Sequence, residues 1–567
     1  MHIGWPIGVG LAWALSEASD DNDCLRTPGI GSAGAEISER SSHLDAGASQ
    51  VELRAFLIEC TGQHWLDIGR RLAERHGIAP ALWTGDGSTV GAARGIFPGL
   101  VGIVGVDASR GQLPAEAGWP QTPLDEPLLR ALAPEEAIGL AMMDRMDPAT
   151  GAFDHDARRR HWHDLLRQWG AALDALRPDV VIFAMVPHVV YDYALYALCK
   201  HRNVPTRMFE RSALPGSLFV VSCFEDGSAA LRSALQGPFD PARLSVAARA
   251  HVAGLRAGGE AALPANYRKK LAKQSLLSHA GRQRDAGILR TLAREAVRAV
   301  YLIVRRHAAP ANYFVREDRR GRLTSPNLLG WLVNRWRGQW RKWRLRRWLA
   351  QLARSVDLAT PYVLLALHYQ PERAIVPMAG ALGDQLLIVD MLARTIPDGW
   401  TLVVKEHPWQ LTPFGWGELA RTRAFYRRIA DYPNVRLAPL DSDSQRLLRG
   451  ARAVATATGS IGWQAIALRI PALVFGAAWY RDAPGVFRIG DLASCRRAID
   501  ALTTDAAVPA DAAERMLAAI ERVAVPGFLE PGLEAAEHVS QSDAVAAMSA
   551  ALAASIAAPQ APRAAAV

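Results

Sequence analysis

The sequence predicts an α/β protein of two Rossmann-like domains facing a cleft, with an Arg/Trp-rich helical segment between them. Three observations predict it. Short apolar runs alternate with helical periodicity over residues 52–209 and again from Tyr362 onward, the pattern of parallel sheets covered by helices. Several of those runs end abruptly in polar turns, where open α/β sheets bind ligands. At 567 residues, the chain is too long for a single core.

In the first half, residues 52–58 read as a strand, Cys60-Thr61-Gly62-Gln63 as a turn, and the residues through about Arg75 as a helix. Strands follow at 81–84 and at 179–185, the second ending at Pro187-His188. A helix over 191–201 leads to a strand at 206–209. The second half begins with a strand at 362–367 and a helix at 383–395. Strands at 401–405, 434–437, 452–456 and 472–475 then alternate with helices. The expected boundaries are a poorly ordered leader over 1–50, a first domain over 51–239, a basic helical segment over 240–355, a second domain over 356–545 and a flexible tail over 546–567.

Composition narrows the class. No run of 18 or more apolar residues occurs, so no membrane span is expected. The apolar stretch 3–15 lacks a Lys/Arg flank and is followed by Asp20-Asp21-Asn22-Asp23, so it reads as a leader and not as a secretory signal. Five scattered cysteines with no CxxC pair fit a reducing, cytoplasmic setting. The chain has no Walker A, HExxH or GxSxG pattern, which argues against an NTPase, a zincin and an α/β-hydrolase. His161 and His163 are the nearest approach to a metal pair and read as a solvated helix face; no metal or other cofactor is expected.

The charge is unevenly spread. Residues 241–360 hold 26 Lys/Arg and 6 Asp/Glu, a net of +20 in a chain whose total is +9. A local anionic partner follows from that asymmetry. Within it, Trp331, Trp336, Trp340, Trp343 and Trp348 interleave with arginines over 331–348. This pattern suits an anionic phospholipid surface, with indoles at the interface and arginines on phosphates. It equally suits a helix whose tryptophans pack on the domains while its arginines face water. Nucleic acid is not expected as a partner.

The chemistry-bearing residues cluster at strand ends. Val403-Val404 runs into Lys405-Glu406-His407-Pro408, where Lys405 can neutralise a phosphate and His407 can donate to an oxygen. Thr456-Ala457-Thr458-Gly459-Ser460 feeds a helix that contains Gln464. Its glycines admit a ligand, Thr458 and Ser460 can cap the helix, and the helix N-terminus favours an anion. His368, Gln370 and Glu372 follow the first strand of the second half, with Gln385 on the next helix. In the first half, His188 with Asp192, and Glu210-Arg211, supply acid/base or nucleophile candidates; a buried salt bridge between Glu210 and Arg211 is the competing account. Thr61 and Gln63 form an acceptor-side turn, with His188 beside them.

These residues in this order resemble the capsule polysaccharide biosynthesis family, whose members include Kdo-transferase-like enzymes of the GT-B fold. The resemblance rests on 362–372, Gly383-Asp384-Gln385, 404–408 and 458–463, with weaker agreement over 179–220. It implies a GT-B-like glycosyltransferase that moves a sugar, such as Kdo or a related acidic sugar from a CMP donor, to a capsule or other surface polysaccharide or a lipid-linked acceptor. It places donor phosphate at Lys405, His407, Thr458, Gly459 and Ser460, with His368, Gln370, Glu372, Gln385, Glu406 and Gln464 lining the donor side. It leaves catalysis to His407 with Glu210 or Asp192. The expected setting is the cytoplasm, peripheral on the inner membrane face. A sugar-nucleotide epimerase or hydrolase of the same fold, or a non-catalytic glycan-binding protein, are the alternatives. Gln464 stands where such enzymes often carry Glu, so nucleotide choice stays open.

Overall fold

The structure is a computed structural model that describes residues 52–112, 118–147, 153–258, 315–317, 323–324, 328–412, 416–504, 507–529 and 539–558. The expected leader, much of the basic stretch and the last residues of the expected tail lie outside these residues.

The first domain is built on β1 (Leu53–Ile58), β2 (Ile78–Gly85), β3 (Val101–Val104), β4 (Val180–Phe183), β5 (Thr206–Arg211) and β6 (Ser217–Val221). A separate two-stranded sheet, β7 (Arg316–Glu317) with β8 (Leu323–Thr324), packs on the first domain through Leu323. The second domain holds β9 (Tyr362–Ala366), β10 (Thr401–Lys405), β11 (Val435–Leu437), β12 (Ala453–Thr456), β13 (Ala472–Val474) and β14 (Val486–Arg488), and β15 (Val525–Pro526) follows. The helices used below are α1 (Gln63–His76), α2 (His155–Leu176), α3 (Tyr191–Arg202), α4 (Val246–Ala257), α5 (Leu328–Leu352) and α6 (Gln385–Ala393). They continue with α7 (Arg423–Ala430), α8 (Ser444–Gly450), α9 (Ser460–Ala467), α10 (Ala512–Val523) and α11 (Gln541–Ala557).

The sheets explain why the apolar runs read so clearly. β4 and β12 are buried along their whole length, because helices cover both faces. The first sheet runs β15-β6-β5-β4-β1-β2-β3, parallel from β5 to β3. The second runs β11-β10-β9-β12-β13-β14 and is parallel throughout. Each has one topological switch point, between β1 and β4 in the first and between β9 and β12 in the second. This is the two-domain, Rossmann-like architecture that the sequence pattern implied.

Two findings alter the sequence reading. Glu210 and Arg211 do not follow a strand: they lie inside β5, which turns through 212–216 and pairs antiparallel with β6, setting Glu210 opposite Phe219. The chain also returns to the first domain at its end. β15 pairs antiparallel with β6, and Val545, Met548 and Leu552 of α11 share a core with Trp65, Leu66, Ile68 and Leu72 of α1. Residues 525–529 and 539–557 therefore complete the first domain, whereas a tail was expected from 546. Arg207 of β5 ties this return down by donating to the Ser555 hydroxyl at 2.7 Å.

The domains meet through packed side chains. α4 bridges them: Ala248 and Val252 join a cluster with Trp463 and Ile466 of α9 and with Met516 and Leu517 of α10. The Trp463 indole donates to His251 at 3.0 Å. α5 belongs to the second domain, where Leu345 and Leu349 enter the core below β9 and β10. No described helix is long and apolar enough to cross a membrane.

Candidate functional site

The switch point of the second sheet is the natural starting place, since the connections after β9 and β12 lead to strands on opposite sides, β10 and β13. His368 follows β9 there and reaches across to the turn after β12. Its Nε2 accepts the Thr458 N–H at 3.1 Å and lies 3.0 Å from the Thr456 hydroxyl. The Thr456 hydroxyl accepts the Gly459 N–H at 3.1 Å. Burial, with His407 and Arg421 nearby, pulls the His368 pKa down to about 3, so the ring stays neutral and organises the turn.

That turn opens α9 with no side-chain cap. The expected capping by Thr458 and Ser460 does not occur. The Thr458 hydroxyl donates to the Ala374 carbonyl at 2.5 Å, and Ser460 is exposed as the first helical residue. The first-turn N–H groups of α9 thus open the helix without a side-chain acceptor, the arrangement that suits an anion. Tyr480 donates to the Gly459 carbonyl, and a Cβ at Gly462 would come within 2.3 Å of that hydroxyl; the glycine is what lets the tyrosine approach. Gln464 turns away to accept from Gln445 of α8 at 2.9 Å.

Beside the switch point, the ends of β9 and β10 are clamped together by a buried ion pair. Arg421 Nε meets Glu406 Oε2 at 2.7 Å, with side chains 0% and 1% exposed. The same guanidinium donates to the His368 carbonyl at 3.0 Å and to Gln370 Oε1 at 2.6 Å. Tyr426 adds a 2.6 Å donor to Glu406, and the His407 N–H a 2.7 Å one. Gln385 holds the His368 N–H at 2.7 Å and Gln370 Oε1 at 2.8 Å. Gln370 also donates to the Gly383 carbonyl at 3.0 Å. Glu406, Gln370 and Gln385 therefore hold the loops, with their polar atoms engaged by protein groups. Glu372 is exposed at the loop's outer edge.

Lys405 and His407 part company. The Lys405 ammonium donates to the Leu440 carbonyl at 3.3 Å, on the β11 side. Burial lowers its pKa while Asp441, Glu406 and Asp443 pull it back up. His407 is half-buried, with its ring 6.0 Å from that of Tyr369. Its Nδ1 accepts the Trp409 N–H at 3.2 Å, which puts the proton of the neutral ring on Nε2.

The first domain supplies the other wall. Its switch point lies between Glu59, after β1, and α3, after β4. Asp192 folds back over the start of α3 and accepts the His188 N–H at 2.9 Å and the Val189 N–H at 2.8 Å. Burial and the Glu59 carboxylate push its pKa up to about 8. His188 points Nδ1 at the Val186 carbonyl, 3.0 Å away, and burial with Arg373 and Arg145 nearby holds its pKa at about 3. Gln63 is exposed and bonds Asp67 at 2.9 Å, and Thr61 is exposed next to it. These two share the carboxyl edge of the sheet with His188 but are set off by β1.

Glu210 stands out on this wall. It is 7% exposed, and its Oε1 is buried without a hydrogen-bond partner. Burial pushes its pKa up to about 7, against the pull of Arg481 and Arg373. Both arginines come from the second domain, whereas adjacent Arg211 points to the other face of the strand. The junction is closely built here: Arg481 donates to the carbonyls of Phe224 and Glu225 at 2.8 and 2.6 Å, and Arg373 reaches the Met185 sulfur at 2.6 Å. The 368–378 loop thus touches the α9 turn through Ala374 and acts on Glu210 through Arg373.

Several of these residues were missed in the sequence. Glu59 was open to detection, being the first residue past an apolar strand, the rule that found His368 and Lys405. It sits at φ 57 and receives the Tyr191 hydroxyl. Arg421, Arg373, Arg481 and Tyr480 carry no strand-end signal. His161 and His163 project about 200° apart around α2. His161 is buried against Phe153, while His163 lies 3.8 Å from Glu136. No group of three or more metal-ligating side chains occurs among the described residues.

A sequence model of the family described as Capsule polysaccharide biosynthesis protein matches residues 324–520. No curated protein matches the chain. Among solved structures, the chain is similar to the KpsC beta Kdo 2,7 transferase of Thermosulfurimonas dismutans, with 10% identity, TM-score 0.26, and 69% of this chain and 88% of that one covered. The beta Kdo 2,4 transferase of the same KpsC gives 14% identity, TM-score 0.24, and 60% and 79% coverage. The UDP-GlcNAc 2-epimerase of Methanocaldococcus jannaschii gives 10% identity, TM-score 0.22, and 83% and 99% coverage. The matched residues 324–520 hold the His368, Glu406–His407 and Thr458–Ser460 turns, so this part of the chain is similar to the capsule polysaccharide biosynthesis family.

Proposed function

We propose that this protein is a nucleotide-sugar-dependent glycosyltransferase. It would move an acidic sugar such as Kdo from a CMP donor to a capsule or other surface-glycan acceptor. One observation carries the reading. A helix N-terminus without a side-chain cap lies at the switch point of the second sheet, and a single loop links it to Glu210, a carboxyl at the domain junction with an unpartnered oxygen.

In this reading the departing nucleotide phosphate sits at the start of α9, on the N–H groups of Ser460 and Ile461, with His407 Nε2–H as a further donor. Such donors stabilise charge as it develops, and losing one costs roughly 100- to 1,000-fold in rate. Lys405 adds positive potential from the β11 side. His368, Glu406, Arg421, Gln370 and Gln385 position these groups without touching the sugar. Across the junction, Glu210 takes the proton of the acceptor hydroxyl, and His188, Thr61 and Gln63 line the acceptor side. The reaction needs no metal or other cofactor.

The reading is tested by a thermal-shift screen with CMP-, UDP-, GDP- and dTDP-sugars, followed by product analysis with and without a glycan acceptor. The expected result is stabilisation by the CMP-sugar and sugar transfer only when acceptor is present. Stabilisation by none of the four overturns it. His407→Ala should leave the melting temperature near that of the parent and lower transfer at least 100-fold; unchanged transfer would remove His407 from the site.

His368→Ala gives a further check. It strips the acceptor from the Thr458 N–H inside a buried turn, so a stability loss of about 1–3 kcal/mol is expected, along with weaker nucleotide binding. Urea denaturation and calorimetry measure the two effects separately.

A further inference from the structure

Helix α5 has two faces of opposite character. Arg335, Gly338, Gln339, Lys342, Leu345 and Leu349 recur at helical spacing and are buried on the second domain. There Lys342 pairs with Glu418 at 3.3 Å, and Arg335 lies over the Trp416 ring at 4.8 Å. The opposite face carries Val333, Trp336, Arg337, Trp340, Arg344 and Arg347. Trp336 and Trp340 are 44% and 50% exposed, and Val333 is 38% exposed. Trp340 stacks on Trp343 at 4.9 Å, and Arg347 lies over Trp343 at 4.9 Å. Trp348, half-buried against Tyr426, packs inward as the competing account required.

We propose that the outer face of α5 docks on an anionic phospholipid surface. The helix carries seven Lys/Arg and no Asp/Glu over 328–352, and Lys342, which pairs with the buried Glu418, is on the inner face. Arg337, Arg341, Arg344, Arg346 and Arg347 are exposed. A stripe of exposed indoles with an aliphatic residue, edged by arginines, matches the boundary between acyl chains and anionic headgroups. Folded nucleic acid offers no apolar layer to take up that stripe. The helix would lie in the plane of the surface, since it is too charged to insert.

Docking has a structural consequence for the site. The inner face of α5 holds the 416–421 loop, in which the Trp416 N–H donates to the Tyr369 hydroxyl at 2.8 Å and Arg421 pairs with Glu406. The loop that orders the strand-end turns would therefore sit about one helix diameter, roughly 10 Å, from the lipid.

The test is flotation of the full chain with phosphatidylcholine vesicles, with and without phosphatidylglycerol, across a salt series. The expected result is co-flotation only with the anionic vesicles, lost as salt rises. Arg337→Gln with Arg344→Gln should weaken it by roughly fivefold per arginine. Trp336→Ala with Trp340→Ala should weaken it on the order of tenfold, since less apolar surface is taken up. Both pairs are exposed, so circular dichroism and melting should match the parent. Equal binding to both vesicle types, binding unchanged in both variants, or no binding at all overturns the proposal. So does loss in the tryptophan variant of a dimer seen by light scattering, or loss of binding to a single-stranded oligonucleotide, without a change in flotation.

Discussion

Arg421→Ala should destabilise the protein by about 3–5 kcal/mol, because it strands a buried carboxylate. Glu406 and Arg421 are 1% and 0% exposed, so water cannot replace the lost partner. The guanidinium also holds the His368 carbonyl and Gln370 Oε1, so the loops after β9 and β10 lose their tie at the same time. Urea denaturation of the variant measures the loss, and nucleotide binding should disappear even where the variant remains folded. Tyr426→Phe removes one of the donors to Glu406 and should cost only about 1 kcal/mol. A small effect for Arg421→Ala would show that the clamp does not order the site.

Glu210→Gln should separate activity from stability. Proton transfer by a placed side chain contributes about 100- to 10,000-fold in rate, and the amide cannot accept the proton, so transfer should fall by that range. Stability should move the other way. The Glu210 pKa lies at about 7 in the fold, above its ordinary 4.5. Between those values the unfolded chain has lost a proton that the folded chain keeps, so stability falls as pH rises from about 4.5 to 7. By linkage the full penalty is about 3 kcal/mol above pH 7, and it vanishes below 4.5. The glutamine variant should lack this dependence and match or exceed the parent in stability above pH 7. Denaturation midpoints across pH 4–8 with parallel rate measurements check both halves. Unchanged transfer in the variant would leave Asp192 or Glu59 as the carboxyl to examine.

Docking and catalysis need not fail together. A variant lacking the outer tryptophans should keep nucleotide binding, because the groups that hold the 416–421 loop lie on the inner face of α5. Loss of nucleotide binding along with flotation would mean that the helix was disturbed as a whole.

Much of the architecture could be read directly from the chain. A strand covered on both faces must be apolar along its length, and Val180–Phe183 and Ala453–Thr456 show it. Where such a run stops at polar residues, the carboxyl edge of the sheet has been reached, which located His368, the Lys405–His407 turn and the Thr458–Ser460 turn. The same rule applied to β1 would have found Glu59. It failed at Glu210, because β5 continues two residues further to pair with β6, and neighbouring-strand pairing leaves no local mark.

The sequence by itself determined the two α/β halves, the strand-end turns and the charge asymmetry, since periodicity and composition are local properties. Only the tertiary structure decided which polar residues are held by partners and which face outward. Arg421 meets Gln370 from 51 residues away, Arg481 reaches the Phe224 carbonyl from 257 away, and an alanine-rich end becomes the cover of α1. In the same way, α5 was legible as a basic Trp-rich helix. That its tryptophans divide between core and surface depended on where Glu418, Trp416 and Tyr426 lie, and partner positions set by long-range packing are not written in any local pattern.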